Sequence, residues 1–276
     1  MDAALTNATL VDRRDLGASS TIVRVRPDRQ PLPPFEPGQF VQVGLPEIAP
    51  ERPGKEPRSD GGERAPRLRI AKRAYSIASS ARERESYELF LTLVPEGRLT
   101  PRLWKLEPGA RCWVDDVARG SFTLEGVPSS ADLAMVATGT GIAPFVSMLR
   151  TYGATRGGDA ARWRRFVLVH GVRHAADLAY REELEARARV DACFRYVPVV
   201  SREPEPWTGL RGRVQAALED ECFRGLGCGP LDPTSFHVFL CGNPDMIQSV
   251  RELLAPRGFE LSKADAGGTL HVEKYW

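Results

Sequence analysis

Short apolar runs punctuate the first half of the chain, each bounded by glycine, proline or charge. They fall at 8–13, 20–26, 39–45, 67–77, 87–94 and 110–117. Runs of this length between Pro/Gly-rich turns predict strands of an antiparallel barrel. Near residue 130 the pattern changes. Leu133–Thr138 reads as a strand and is followed by a helix from Pro144. Phe166–His170 precedes a helical stretch over Leu178–Arg189, and Phe194–Val200 precedes one near Val214–Glu219. Phe236–Cys241 precedes a helix over Pro244–Leu254. Strands alternating with helices predict a doubly wound parallel sheet. The expected fold is therefore two-domain, with an antiparallel β-barrel over 1–129 and an α/β doubly wound parallel sheet over 130–276. Such sheets bind ligands at the carboxyl ends of their strands, where Gly139 and Cys241 both lie.

One stretch fits neither pattern. Pro46–Pro66 holds five prolines, three glycines and nine charged residues in 21 positions. It cannot bury enough apolar surface to offset the entropy of ordering it. The expectation is a mobile, solvated insertion between two barrel strands.

Candidate chemistry concentrates at three places. Arg73-Ala74-Tyr75-Ser76-Ile77-Ala78-Ser79 puts a guanidinium, a ring and two hydroxyls into one strand. Arg73, Tyr75 and Ile77 project to one face, and Ala74, Ser76 and Ala78 to the other. A guanidinium pairs with a pyrophosphate, and a flat ring packs on a planar heterocycle. An ordinary half-buried strand with an exposed arginine would read the same way. Further on, Gly97-Arg98-Leu99-Thr100-Pro101-Arg102-Leu103 offers Thr100 as an N-cap and Pro101 in the first turn of a short helix reaching about Leu106. Its amides would face an anion, although a plain capped helix fits equally well. Third, Ala134-Met135-Val136-Ala137-Thr138 runs into Gly139-Thr140-Gly141-Ile142-Ala143-Pro144. A Gly-x-Gly turn between strand and helix lets backbone amides approach a pyrophosphate, but alone it is weak evidence.

Taken in order, these motifs resemble the ferredoxin–NADP reductase family. Arg73, Tyr75, Ser76 and Ser79 match its flavin motif, and Gly139 to Pro144 its nicotinamide-side motif. Cys241-Gly242-Asn243-Pro244-Asp245-Met246 matches a third, and the ending Val272-Glu273-Lys274-Tyr275-Trp276 is similar to the bacterial branch. The resemblance implies FAD held by the first domain and NADP(H) by the second. For FAD it implies Arg73, Ala74, Tyr75, Ser76, Phe90, Leu91, Thr92, Arg98, Leu99, Thr100 and Thr138, with Tyr275 and Trp276 covering the flavin and moving aside for nicotinamide. For NADP it implies Gly139, Thr140, Gly141, Arg173, Ser201, Arg202, Arg213, Cys241 and Asn243. Ser76, Cys241 and Glu273 would flank the reacting atoms. Arginines at the strand ends suit a 2′-phosphate, and no acidic residue ends the second parallel strand to suit an NAD ribose.

Composition narrows the alternatives. The chain has 276 residues, 42% apolar and 27% charged, with a net charge of +2, which does not suggest nucleic-acid binding. No apolar run reaches the ~20 residues of a membrane span. The first residues are acidic and lack a secretory core, so a cytoplasmic monomer is the expectation. Cys112, Cys193, Cys222, Cys228 and Cys241 are scattered, without zinc-ligand or iron–sulfur spacing. Electrons would therefore pass to or from a separate carrier, a ferredoxin or a flavodoxin. The Arg58–Arg84 segment is rich in arginine, so that carrier is expected to be acidic. Two other readings remain open at this point. One is an NADH-dependent flavin reductase component of an oxygenase. The other is a non-catalytic flavin-containing regulatory subunit.

Overall fold

The computed structural model describes residues 5–49, 67–153, 165–204, 206–263 and 267–274. Its first sheet has six strands: β1 (Ala8–Leu16), β2 (Ser20–Pro27), β3 (Phe40–Ile48), β4 (Leu68–Ser76), β5 (Tyr87–Thr92) and β6 (Arg111–Val114). Their order is β4-β3-β6-β1-β2-β5, antiparallel throughout. A bridge between Ile77 and Leu89 joins the two outer strands, which brings the sheet round into a barrel. Alternate residues fill its interior, including Val41, Val43, Leu45, Leu89 and Leu91. That is the period-two pattern of strands with one buried face.

The second sheet is parallel, with order β10-β9-β8-β7-β11-β12. It comprises β7 (Asp132–Thr138), β8 (Phe166–Val172), β9 (Phe194–Val200), β10 (Leu210–Arg211), β11 (Phe236–Gly242) and β12 (Leu270–Lys274). Leu133 to Ala137 are all fully buried, because both faces of this sheet are covered. Helices α2 (Ala143–Tyr152) and α3 (Arg181–Val190) pack on one face. Helices α4 (Asp220–Gly225) and α5 (Pro244–Leu254) pack on the other. No helix among the described residues is long and apolar enough to cross a membrane.

The two sheets share a core. Ile22, Ala78, Phe90 and Phe122 from the barrel side join Phe145, Met148, Tyr180 and Phe239 from the parallel side. Phe122 meets Phe239 edge-on at 5.4 Å, and Phe90 meets Tyr180 at 6.1 Å. Arg150 of α2 crosses this seam, donating to the Glu88 carboxylate at 2.7 Å, the Ala78 carbonyl at 3.1 Å and the Glu183 carboxylate at 2.6 Å. Ser147 donates to the Ser79 carbonyl at 2.7 Å.

Several elements depart from the sequence reading. β3 runs on to Ile48, and β4 starts at Leu68 with Ile48 opposite it. Pro46 to Ile48 are therefore strand rather than insertion; the rest of the expected mobile segment, from Pro50 to Pro66, lies outside the described residues. α3 starts at Arg181, three residues later than expected, because Tyr180 takes a left-handed conformation (φ 61°) that helix cannot include. The stretch near Val214 is a 3-10 turn, Val214–Leu218, and the α-helix follows it as α4. β10 and β12 were not anticipated. They are two and five residues long, too short to show a pattern.

Candidate functional site

The strand register brings three side chains from distant parts of the chain to one point. Ser76 is the last residue of β4 and is buried. Glu273 sits on β12, opposite Cys241 of β11. The Ser76 hydroxyl donates to Glu273 Oε2 at 3.4 Å, and the Cys241 thiol lies 4.0 Å from the same oxygen. Burial pushes the Glu273 carboxyl up to about 7, although the Ser76 hydrogen bond works against the rise. A barrel strand thus ends against the carboxyl edge of the parallel sheet.

β4 supplies the rest of one half-site. Arg73 is exposed and, among the described residues, has no acidic partner; its Nη1 donates to the Lys72 carbonyl at 2.9 Å. The Tyr75 hydroxyl is buried without a hydrogen-bond partner among the described residues, and burial pushes its pKa to about 12 while the Arg73 charge opposes the shift. An uncommitted guanidinium beside an orphaned hydroxyl on one strand face fits a group carrying both phosphate and a planar ring. The flavin of FAD is such a group.

The other half-site is a close approach of main chains at the carboxyl ends of β7 and β11. A Cβ on Gly141 would stand 2.2 Å from the Cys241 carbonyl oxygen, and one on Gly242 would stand 2.4 Å from Thr138 Oγ1. Gly242 also has φ 132°, which L side chains avoid. Gly139 (φ 54°) opens a 3-10 turn, Gly139–Ile142, that leads into α2. The Asn243 amide donates to Thr138 Oγ1 at 3.0 Å, so the two strand ends are tied together.

The comparisons agree with this geometry. Residues 135–252 match the model of the oxidoreductase NAD-binding domain. A flavodoxin/ferredoxin–NADP reductase of Shigella flexneri is 38% identical over 80% of this chain and 79% of its own length. Ferredoxin–NADP reductase B of Sorangium cellulosum is 39% identical over 87% and 85% respectively. The chain belongs to the ferredoxin–NADP reductase family. Among solved structures, a ferredoxin–NADP⁺ reductase from Neisseria gonorrhoeae with bound FAD and NADP is 24% identical, superimposes with a TM-score of 0.79 and covers both chains completely. A cytochrome P450 reductase of Amycolatopsis gives a TM-score of 0.72 at 27% identity, covering 98% of this chain and 69% of that one.

Within this family frame the expected site residues fall into groups. Arg73, Ala74, Tyr75 and Ser76 lie along the last four positions of β4. Phe90 and Leu91 are buried in apolar clusters, so only their main chain is left to meet a ligand. Thr92 is half-buried at the end of β5, and Leu99 is buried in the barrel core. Thr138, Gly139, Thr140, Gly141, Cys241 and Asn243 gather at the carboxyl ends of β7 and β11. Arg173 and Ser201-Arg202 are also brought together, because Arg202 N donates to the Arg173 carbonyl at 2.8 Å and Ser201 N to the Val172 carbonyl at 3.1 Å. Arg213 stands just before the Val214–Leu218 turn, exposed. Tyr275 and Trp276 lie outside the described residues.

Two expectations, the Thr100 cap and the end of the short helix that follows it, need correction. Thr100 is not an N-cap but the first residue of α1 (Thr100–Leu103). Its hydroxyl instead exchanges hydrogen bonds with the Val94 amide and carbonyl, both at 3.0 Å, closing the loop from β5. α1 stops at Leu103 rather than near Leu106. Asn243 is the N-cap of α5: its Oδ1 accepts from Asp245 N at 2.7 Å and Met246 N at 3.3 Å, so that oxygen is already engaged.

The sequence reading also missed a cluster at the far end of the β3–β4 pair from Ser76. Arg69, Arg98 and Arg102 converge on the Glu47 carboxylate at 2.7, 3.1 and 3.7 Å. Arg98 was expected to face the cofactor, and here it is held by Glu47. Glu47 and Arg69 are cross-strand partners. Only the extended β3–β4 register reveals that pairing.

Proposed function

We propose that this protein exchanges electrons between NADP(H) and a one-electron carrier protein, a ferredoxin or a flavodoxin, by way of bound FAD. One observation carries the reading: Ser76, Cys241 and Glu273 converge where the β4 strand end meets the carboxyl edge of the parallel sheet. Flavin and nicotinamide must stack at one place, and this is where the two half-sites adjoin. Residues 1–129 would hold FAD and 130–276 NADP(H).

When bound, the flavin supplies the conversion between hydride transfer and single-electron transfer. The chain's own residues position and gate that chemistry. Arg73 would pair with the FAD pyrophosphate, and Tyr75 would pack along the flavin. The glycine turn at 139–141 would admit the NADP pyrophosphate to the backbone amides. Arg173, Arg202 and Arg213 would meet the 2′-phosphate. Ser76 and Glu273 would share a proton beside the reacting atoms, with Cys241 closing the cavity to water. A carboxyl held near neutrality can give or take that proton at working pH.

The competing NADH-dependent reductase reading makes no use of Arg173, Arg202 and Arg213, which follow β8, β9 and β10. A regulatory subunit of this kind recruits a metal cluster through closely spaced cysteines, and the nearest pair in this sequence is Cys222 and Cys228, six positions apart. The experiment is anaerobic reduction of the purified yellow protein with NADPH and with NADH, followed by mixing with oxidised ferredoxin or flavodoxin. Rapid bleaching of the flavin by NADPH and its return on adding the carrier are the expected results. Equal bleaching by NADH, or no electron transfer to either carrier, would sink the proposal.

A further inference from the structure

We propose that His170 is a positioning residue for the dinucleotide turn at 139–141, acting through a hydrogen bond donated by its Nε2. The inference rests on the reading of that turn as the NADP(H) site. His170 lies on β8, directly across from Ala137 and one residue before the position opposite Thr138. It is wholly buried in a stretch where its neighbours Leu168 and Val169 are apolar and equally buried. A valine or isoleucine would suit such a strand better, since a buried polar group is unfavourable unless it is hydrogen-bonded.

Only one edge of the ring is satisfied. Nδ1 lies 3.2 Å from the Tyr196 hydroxyl of β9. Burial pushes the Tyr196 phenol well up, so the hydroxyl keeps its proton and can donate it to Nδ1. Burial likewise drives the His170 imidazole down to about 4, while the Gly139 main chain opposes that shift. The ring is therefore neutral at working pH. With Nδ1 accepting from Tyr196, its single proton sits on Nε2. Nε2 is buried without a regular hydrogen-bond partner among the described residues. Besides Tyr196, the polar group that acts on this ring is the main chain of Gly139, the first residue of the turn.

Tyr196, His170 and Gly139 thus form a line from the middle of β9 to the turn. Tyr196 fixes the tautomer, and the tautomer points a donor at Gly139. The turn carries two glycines and no side-chain cap of its own, and its tight packing against Cys241 is at Gly141 rather than at Gly139. A donor beneath the Gly139 carbonyl would favour the peptide orientation that leaves the following amides facing outward. NADP(H) binding to those amides would draw the turn into register and complete the Nε2–H bond. Binding would then depend on His170 although the ring never touches the nucleotide.

The test uses the FAD-loaded protein and three variants: His170→Phe, His170→Gln and Tyr196→Phe. Phenylalanine fills the space without a donor, whereas glutamine restores an N–H near the Nε2 position. For His170→Phe the NADP⁺ dissociation constant, measured by difference absorbance or calorimetry, should rise about fivefold to fiftyfold. KM for NADPH should rise in parallel, while kcat with ferricyanide at saturating NADPH stays within about twofold, the signature of lost ground-state positioning. His170→Gln should recover most of the affinity, and Tyr196→Phe should fall between the two. A nitrogen-15 NMR spectrum of the histidine-labelled wild-type protein should show a neutral Nε2–H tautomer whose proton moves downfield when NADP⁺ is added. An NADP⁺ affinity in His170→Phe within about twofold of wild type would overturn the proposal. If that variant does not fold, the wild-type spectrum decides, and an Nε2–H resonance unmoved by NADP⁺ overturns it. Because binding and tautomer are read without the carrier protein, failure of this inference is distinguishable from failure of the proposed electron transfer.

Discussion

Ser76 and Glu273 stand 197 positions apart in the chain, yet the serine hydroxyl donates to the carboxylate across 3.4 Å. Neither alone explains the site. Ser76 ends a barrel strand, Glu273 rides on the edge strand of the parallel sheet, and their contact exists only because the two sheets share a core. The carboxyl is consequently half-protonated near neutral pH, with burial as the leading cause.

Glu273→Gln should therefore flatten the pH dependence of flavin reduction near pH 7, because glutamine imitates only the neutral form. The stability consequence follows from the sign of the shift. With a pKa raised from 4.5 to about 7, the folded protein holds more protons than the unfolded chain between those values. Stability must fall as pH rises through that window. Denaturant midpoints at about pH 5 and about pH 8 should converge in the variant relative to wild type. An unaltered difference between the two would show that Glu273 titrates normally.

Arg73 should decide how well FAD is retained. Arg73→Ala removes a charge-assisted pair to the pyrophosphate and should weaken FAD binding by about 1.5–3 kcal/mol. Arg73→Lys should recover only part of this, because it keeps the charge and loses the planar fork. Flavin absorbance after exhaustive dialysis measures both. Full retention by Arg73→Ala would assign the pyrophosphate to other groups.

Arg202→Ala and Arg213→Ala should each weaken NADPH by about 1.5–3 kcal/mol and leave NADH nearly unaffected. KM values for the two nucleotides provide the comparison, and equal losses would rule these arginines out as readers of the 2′-phosphate. Arg202 is the firmer candidate of the pair, since its amide is pinned to the Arg173 carbonyl.

The seam between the sheets rests heavily on Arg150. Arg150→Met leaves Arg24, at 2.9 Å, as the one cationic partner of Glu88 among the described residues and should reduce unfolding stability by about 2–4 kcal/mol. Burial alone would raise the Glu88 pKa, but Arg150 and Arg24 overcome it and hold the carboxyl below its usual range. Its contribution is thus complete above the ordinary carboxylate pKa and is lost as pH falls through the lowered value. Thermal unfolding against pH should accordingly show weaker acid sensitivity in Arg150→Met than in wild type. Glu183→Gln should cost much less, because that carboxylate is more open to water.

The parts legible in the sequence were those governed by local chemistry. β9 (Phe194–Val200) and α5 (Pro244–Leu254) were read to the residue, because an apolar run and a proline at the first helical turn mark them plainly. The strand ending at Ser76 and the turn at Gly139–Ile142 stood out because their residue types are rare in combination. What escaped depends on register. Glu47 looked like part of a charged loop until β3 and β4 paired it with Arg69. Thr100 carried the right residue type for a cap, but the loop from Val94 claimed its hydroxyl. His170 sat inside an apolar run with nothing local to distinguish it, since Tyr196 and Gly139 reach it only across neighbouring strands.

Docking of the carrier should depend on salt. Arg67, Arg69, Lys72 and Arg73 are all exposed, the last three on β4, the strand that ends at Ser76. Arg98 is exposed nearby and shares the Glu47 carboxylate with Arg69. One carboxylate among these cations leaves β4 positive close to the flavin half-site, with Arg69 and Arg73 on one face of the strand and Lys72 on the other. Opposite charge on a ferredoxin or flavodoxin would steer encounter and raise the association rate. The bimolecular rate of carrier reduction should drop steeply between about 0.05 and about 0.5 M salt, as the screening length shrinks below ~10 Å. Lys72→Glu and Arg82→Glu are the informative charge reversals, since Lys72 lies over the Trp113 ring with no acidic partner among the described residues and Arg82 is exposed. Arg84 is unsuitable because its guanidinium is committed to the Leu32 carbonyl. If Lys72→Glu slows reduction and Arg82→Glu does not, the carrier docks along β4 itself; the reverse would move the docking face to the β4–β5 loop. A rate indifferent to salt and to both reversals would remove charge steering from the account.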